Sequence, residues 1–137
     1  MSNKLIIISN DQFYYDKSNF YCDHVAEKTL PDGLSDKFSI TVIGRISNIK
    51  RFHKLKTKNV EHHSNLISYL FSIFKRKIKG GYKFLILSIS PYTFFASLLF
   101  LFSKQKPIIY LRSDGHQEYK SILGFFGPII YLSLIHI

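Results

Sequence analysis

Lys4-Leu-Ile-Ile-Ile-Ser9 is a continuous, β-branched apolar run closed by a serine. Apolar runs without polar alternation belong to strands buried on both faces, and such strands occur almost only in parallel sheets. The run is too short for the apolar core of a signal peptide, and no small-residue cleavage site follows it. It reads as a first strand.

Outward from it the same kind of segment returns. Phe38 to Ile46 (FSITVIGRI) is a second strand, ending in Gly44 and Arg45. Phe84 to Ile89 (FLILSI) is a third, and Ile108 to Leu111 a fourth. Helical patterns separate them. Phe20 to Thr29 is the first, with Tyr21, Val25 and Leu30 inward. Ser64 caps the second, beginning near Asn65. There Leu66, Ile67, Leu70, Ile73, Phe74 and Ile78 follow the spacing of one amphipathic face. Lys75, Arg76, Lys77 and Lys79 suit its last turn, and Gly80-Gly81 stops it. Ser90-Pro91 starts a third helix over Tyr92 to Ser103. Gln117 to Phe125 is a fourth, before Gly127-Pro128. Asn10 to Asn19 reads as a polar-aromatic loop, Pro31-Asp-Gly33 as a turn, and Ile49 to Lys58 as a basic surface loop or edge strand. Alternating strands and helices predict an α/β fold, a parallel sheet with helices on both faces.

The chain has 137 residues, 46% of them apolar and 20% charged, enough for one domain with a core. Its net charge of +10 favours an anionic partner. Cys22 is the single cysteine, so no internal disulfide forms and a reducing, cytoplasmic location is expected. Phe84 to Ser103 carries no charge over about twenty residues, the length of a membrane span. Pro91 and the Ser-Ile-Ser-Pro punctuation favour a strand followed by a helix instead. A membrane protein spanning near 84–103 is the competing class, and a non-catalytic flavodoxin-like binding module is another.

No Gly-x-Gly-x-x-Gly follows the first strand and no Walker A motif occurs. One cysteine beside His62-His63 is no zinc pattern, and no metal is expected. Lys50 to Lys58 interleaves basic and aromatic residues, but no recognised module frames it, so no nucleic-acid partner is expected. The clusters Lys50 to Lys58 and Lys75 to Lys79 offer contact to an anionic membrane surface. The polar site candidate is Arg112-Ser-Asp-Gly-His-Gln-Glu118, at the carboxyl end of the fourth strand, where open α/β sheets bind ligands. Ser113 or Asp114 suits a helix cap there, with Glu118 in the first turn. Arg112 and the backbone amides suit an anion or a sugar hydroxyl. The loop after the first strand shares that edge.

KLIIISN with its aromatic loop, ITVIGR ending at Arg45, FLILSISPYTFFASLLFL and PIIYLRSDGHQEYKSILGFFGPIIY together carry a resemblance. The chain resembles the N-terminal half-domain of group 1 (family 4) glycosyltransferases of the GT-B fold, especially those of surface polysaccharide assembly. The resemblance implies a Rossmann-like acceptor-side domain over 1–131, truncated before a donor-binding domain. It implies a retaining hexosyl transfer from a nucleotide-sugar to a glycan or lipid-linked acceptor, without a further cofactor. It places Ser113 and Asp114 at the catalytic position, and Asp11, Tyr14, Arg45, Arg112, Gly115 and Glu118 around the acceptor. The family's frequent histidine after the fourth strand is absent; His116 comes later. Its glycine-rich loop after strand one is replaced by Asp11-Gln-Phe-Tyr-Tyr15. Such a fragment is expected to be inactive alone, and cytoplasmic, peripheral on the inner face of the cell membrane. Leu132-Ser-Leu-Ile-His-Ile137 matches one translated frame of a transposon end used in sequencing libraries, so 132–137 is expected to be an adapter-derived tail.

Overall fold

The computed structural model describes residues 3–23, 25–87, 90–101, 104–110, 124–126 and 129. Along the chain come β1 (Lys4–Asp16), β2 (Asn19–Cys22), α1 (Val25–Leu34), β3 (Ser39–Ile46), β4 (His53–Lys54) and β5 (Val60–His63). Then follow α2 (Leu66–Lys79), β6 (Tyr82–Leu87), α3 (Pro91–Leu98), β7 (Ile108–Tyr110) and a 3₁₀ turn at Gly124–Phe126.

The apolar run of β1 sits inside the sheet because it can be covered on both faces. Successive side chains of a strand point to opposite sides. Leu5 and Ile7 therefore join one core, with Ile40, Val42, Leu85 and Leu87, under Leu30 and Leu34 of α1. Ile6 and Ile8 join the other, with Ile43, Phe84 and Ile86, under Tyr69 and Ile73 of α2 and Ala96 of α3. Helices thus cover both faces, as expected.

Five strands run parallel in the order β5-β3-β1-β6-β7. The chain builds outward from β1 to β3 and β5, then returns to the other side of β1 for β6 and β7. The order reverses between β1 and β6. Beyond the parallel part, β1 continues and pairs antiparallel with β2, which pairs antiparallel with β4. The sheet is accordingly mixed rather than purely parallel.

Several expected boundaries are corrected. Asn10 to Asn19 is not a loop. β1 runs through it to a hairpin turn at Lys17-Ser18, whose φ angles are 48° and 66°. Positive φ at both central residues matches the twist of paired strands, yet neither residue is the glycine or asparagine that usually announces such a turn. Phe20 to Thr29 is not one helix: Phe20 and Tyr21 lie in β2 and the helix starts at Val25. Pro31 lies inside α1, not in a turn. Leu30 and Leu34, one turn apart, pack on the core and carry the helix through it. Asn65, not Ser64, caps α2, its side chain accepting from the Ser68 amide at 2.8 Å. β5 has no counterpart in the sequence reading.

Phe84 to Ser103 is divided between β6 and α3, and α3 ends at Leu98 in a tighter turn. No helix among the described residues is long and apolar enough to cross a membrane. Residues 132–137, the expected tail, lie outside the described residues.

Candidate functional site

In open α/β sheets, ligands settle outside the carboxyl ends of the strands where the strand order reverses. Here that point adjoins Ser9 to Gln12 on β1 and the start of α3 after β6. Its geometry begins with an irregularity. Ile8 pairs with Ile43, and Gln12 with Arg45, so four steps along β1 match two along β3. The two extra residues push Ser9, Asn10 and Asp11 out of the ladder as a bulge, a device common beside active sites because it re-aims side chains.

Side chains from neighbouring elements hold this bulge. The buried Tyr69 hydroxyl of α2 donates to the Ser9 carbonyl at 2.7 Å. Arg45 Nε of β3 donates to the Asn10 carbonyl at 2.7 Å. The Asp11 amide donates to Ser9 Oγ at 3.0 Å, and the Gln12 amide to Asp11 Oδ1 at 2.9 Å. Gly44 lies against the bulge. A Cβ there would overlap the Phe13 ring and come within 3.1 Å of the Asp11 carbonyl oxygen.

Aromatic rings complete the arrangement. The Arg45 guanidinium carbon stands 5.1 Å from the centre of the Tyr92 ring, within cation–π range. Tyr92 meets Tyr69 edge to face at 5.1 Å, and His63 meets Tyr69 edge to face at 6.3 Å. Ser90 opens α3 beside them, its amide donating to Thr93 Oγ1 at 2.7 Å. Asn10 Oδ1 is buried and has no hydrogen-bond partner among the described residues. Buried polar atoms are nearly always paired, so this oxygen is an acceptor that a water or a ligand can use. Together these groups can take a ligand that carries both hydrogen-bond donors and negative charge.

Two polar networks flank this edge. Arg51 donates through Nε to Ser47 Oγ at 2.8 Å, and its other nitrogens bind Asp23 and Gln12. It ties the connections after β2 and β3 to β1. On β5, Glu61 receives Ser72 Oγ at 2.6 Å and Arg76 Nη1 at 2.9 Å. Burial alone would raise the Glu61 carboxyl, but the hydrogen bonds of Arg76 and Ser72, with the charges of Arg76 and His63, hold it below its ordinary value. Burial lowers His62, and the neighbouring His63 adds to this. Burial also lowers His63, with Arg76 assisting, although Glu61 at 3.8 Å pulls the other way. Glu61 and Arg76 line a hollow of about 440 Å³ that lies along α2 rather than at the strand ends. No group of three potential metal-ligating His, Cys, Asp or Glu residues comes together among the described residues.

Of the expected site residues, Asp11 and Arg45 meet at the bulge. Tyr14 stands farther along β1 in the antiparallel stretch, its ring 6.3 Å from that of Tyr21. Arg112, Ser113, Asp114, Gly115 and Glu118 lie outside the described residues. β7, which precedes them in the chain, ends at Tyr110, paired with Leu87, the last residue of β6. No family model, curated protein or solved structure matches this chain. Asn10, Tyr69 and Tyr92 are candidate-site members that the sequence reading did not single out, and His63 was weighed there only against a zinc pattern. Tyrosine at Tyr69 was a usable signal, since a buried tyrosine brings a hydroxyl that must find a partner.

Proposed function

We propose that this chain is the acceptor-side domain of a retaining GT-B glycosyltransferase, with a Rossmann-like sheet. Asn10 Oδ1, buried with no partner among the described residues, beside the Arg45–Tyr92 pair is the observation that carries this reading. A sugar supplies hydroxyl donors for such an acceptor and an apolar ring face for an aromatic side chain. A sugar phosphate or lipid diphosphate supplies the anion that the free edge of a guanidinium binds bidentately. The order β5-β3-β1-β6-β7 agrees with the 3-2-1-4-5 order of doubly wound sheets that bind ligands at the reversal.

In this reading Asn10, Asp11 and Arg45 hold the acceptor, and Tyr92 keeps the guanidinium flat against the site. Ser113 and Asp114, which follow β7 in the chain, are assigned to orienting the acceptor hydroxyl, and Arg112, Gly115 and Glu118 to binding the acceptor. Tyr14 belongs to the outer part of the acceptor path. The nucleotide-sugar is a co-substrate bound by a second domain. The activated sugar passes to the acceptor hydroxyl and the nucleotide leaves. The setting is cytoplasmic, which suits the buried Cys22.

On this reading a longer protein carries a second α/β domain after this one, and the test uses that protein. Arg45→Met should raise the acceptor KM roughly 10- to 100-fold, the loss of one charged hydrogen-bonding group, and leave the donor KM unchanged. Residues 1–137 alone should transfer no sugar. An unchanged acceptor KM in Arg45→Met removes Arg45 from the site. Transfer by the 137-residue chain, or a downstream reading frame without a nucleotide-sugar domain, overturns the assignment.

A further inference from the structure

The hollow along α2 borders a second feature, a stripe of large apolar side chains left uncovered. Ile67, Phe71, Phe74 and Ile78 recur at intervals of four, three and four residues and so share one side of the helix. Ile67 is 82% exposed, Phe71 66% and Ile78 69%. The helix packs on the sheet through Tyr69, Ser72 and Ile73 instead. Immediately beside the stripe, Ser68, Ser72, Lys75 and Lys79 follow the same spacing and line the hollow. One helix thus presents an apolar stripe and, beside it, a polar stripe that ends in two lysines.

The charges select the occupant. α2 contains no acidic residue, and the chain as a whole carries a net charge of +10. A second copy meeting this face across a two-fold axis would bring each Lys75 and Lys79 toward those of its partner, like charge against like. A bilayer with anionic headgroups meets both stripes. Phe71 and Phe74 reach the acyl boundary while Lys75 and Lys79 meet phosphates, the arrangement of a helix lying in the plane of the interface. We propose that α2 is a membrane-docking helix that lies flat on an anionic lipid surface. This docking does not depend on the transferase reading, and it can stand or fall separately.

The chain contains no tryptophan, so Phe71→Trp reports on this one position. With vesicles of phosphatidylglycerol and phosphatidylcholine, its emission should move to the blue and the protein should sediment. With phosphatidylcholine alone it should do neither. Lys75→Gln with Lys79→Gln should weaken the partition roughly 30-fold. Phe71→Ser with Ile78→Ser should abolish sedimentation and leave the thermal midpoint unchanged, since these side chains are 66% and 69% exposed. Emission that stays unshifted, or sedimentation that survives the double serine variant, overturns the proposal. So does a dimer in analytical ultracentrifugation that the double serine variant dissolves while the wild-type protein ignores vesicles; that result assigns the stripe to a second copy.

Discussion

Gly44 has no room for a methyl group. The Phe13 ring and the Asp11 carbonyl occupy the space where a Cβ would sit, and Asp11 belongs to the bulge that shapes the candidate site. Gly44→Ala must push β1 away from β3 at the point where Arg45 reaches Asn10. Overpacking of this kind costs about 1–3 kcal/mol, so the urea midpoint should fall by the corresponding amount. An unchanged midpoint would show that the Phe13 ring moves aside freely. Arg45 and Gly44 were both visible in the sequence as the polar, small end of an apolar strand. Asn10 was not, because the burial of its side-chain oxygen comes from the packed bulge and not from any local sequence pattern.

β5 concentrates three titratable residues in four positions, Val60-Glu-His-His63. His62 and His63 are both held below the ordinary histidine value. Between that value, near ~6.5, and their lower folded values, the unfolded chain binds protons that the folded chain resists. Protons then favour unfolding, so stability should decline as pH falls from 7 through 6.5 and below. Glu61, held low by Arg76 and Ser72, adds a further loss as pH falls below the ordinary carboxylate value near ~4.3. Urea unfolding at pH 7.5 and pH 5 checks this. The midpoint should drop at the lower pH, and the drop should shrink in His62→Asn with His63→Asn; equal midpoints for the wild-type protein would contradict it. This element was illegible beforehand because only Val60 of its residues is buried, which leaves no apolar run. α2 was legible as a helix, but its orientation was not. The Tyr69 hydroxyl bonds Ser9 and turns that side inward, so Ile67, Phe74 and Ile78, expected inside, face out.

At the scale of the molecule, the α/β class and both helical layers could be read from alternating patterns. The strand order could not, because periodicity marks which face is buried and says nothing of which strand lies beside which. The same is true of the hairpin at Lys17-Ser18, whose residues carry no glycine or asparagine signal. The central place of β1 has a consequence for biosynthesis. Lys4 pairs with Ser39 on one side and with Tyr82 on the other. One edge of the strand therefore stays open until the chain is synthesised past β6. During that interval a short, apolar, β-prone segment without proline is available to pair with neighbouring chains. A chain ending at Gly81 should collect in the insoluble fraction, whereas one ending at Tyr110 should yield far more soluble protein. Equal solubility of the two would show that α1 and β3 already shield β1. The strand that organises the finished domain is thus made before β3, β5 and β6 but covered on its second edge only by β6, and the speed of translation between Ser9 and Leu87 becomes part of how this fold is reached.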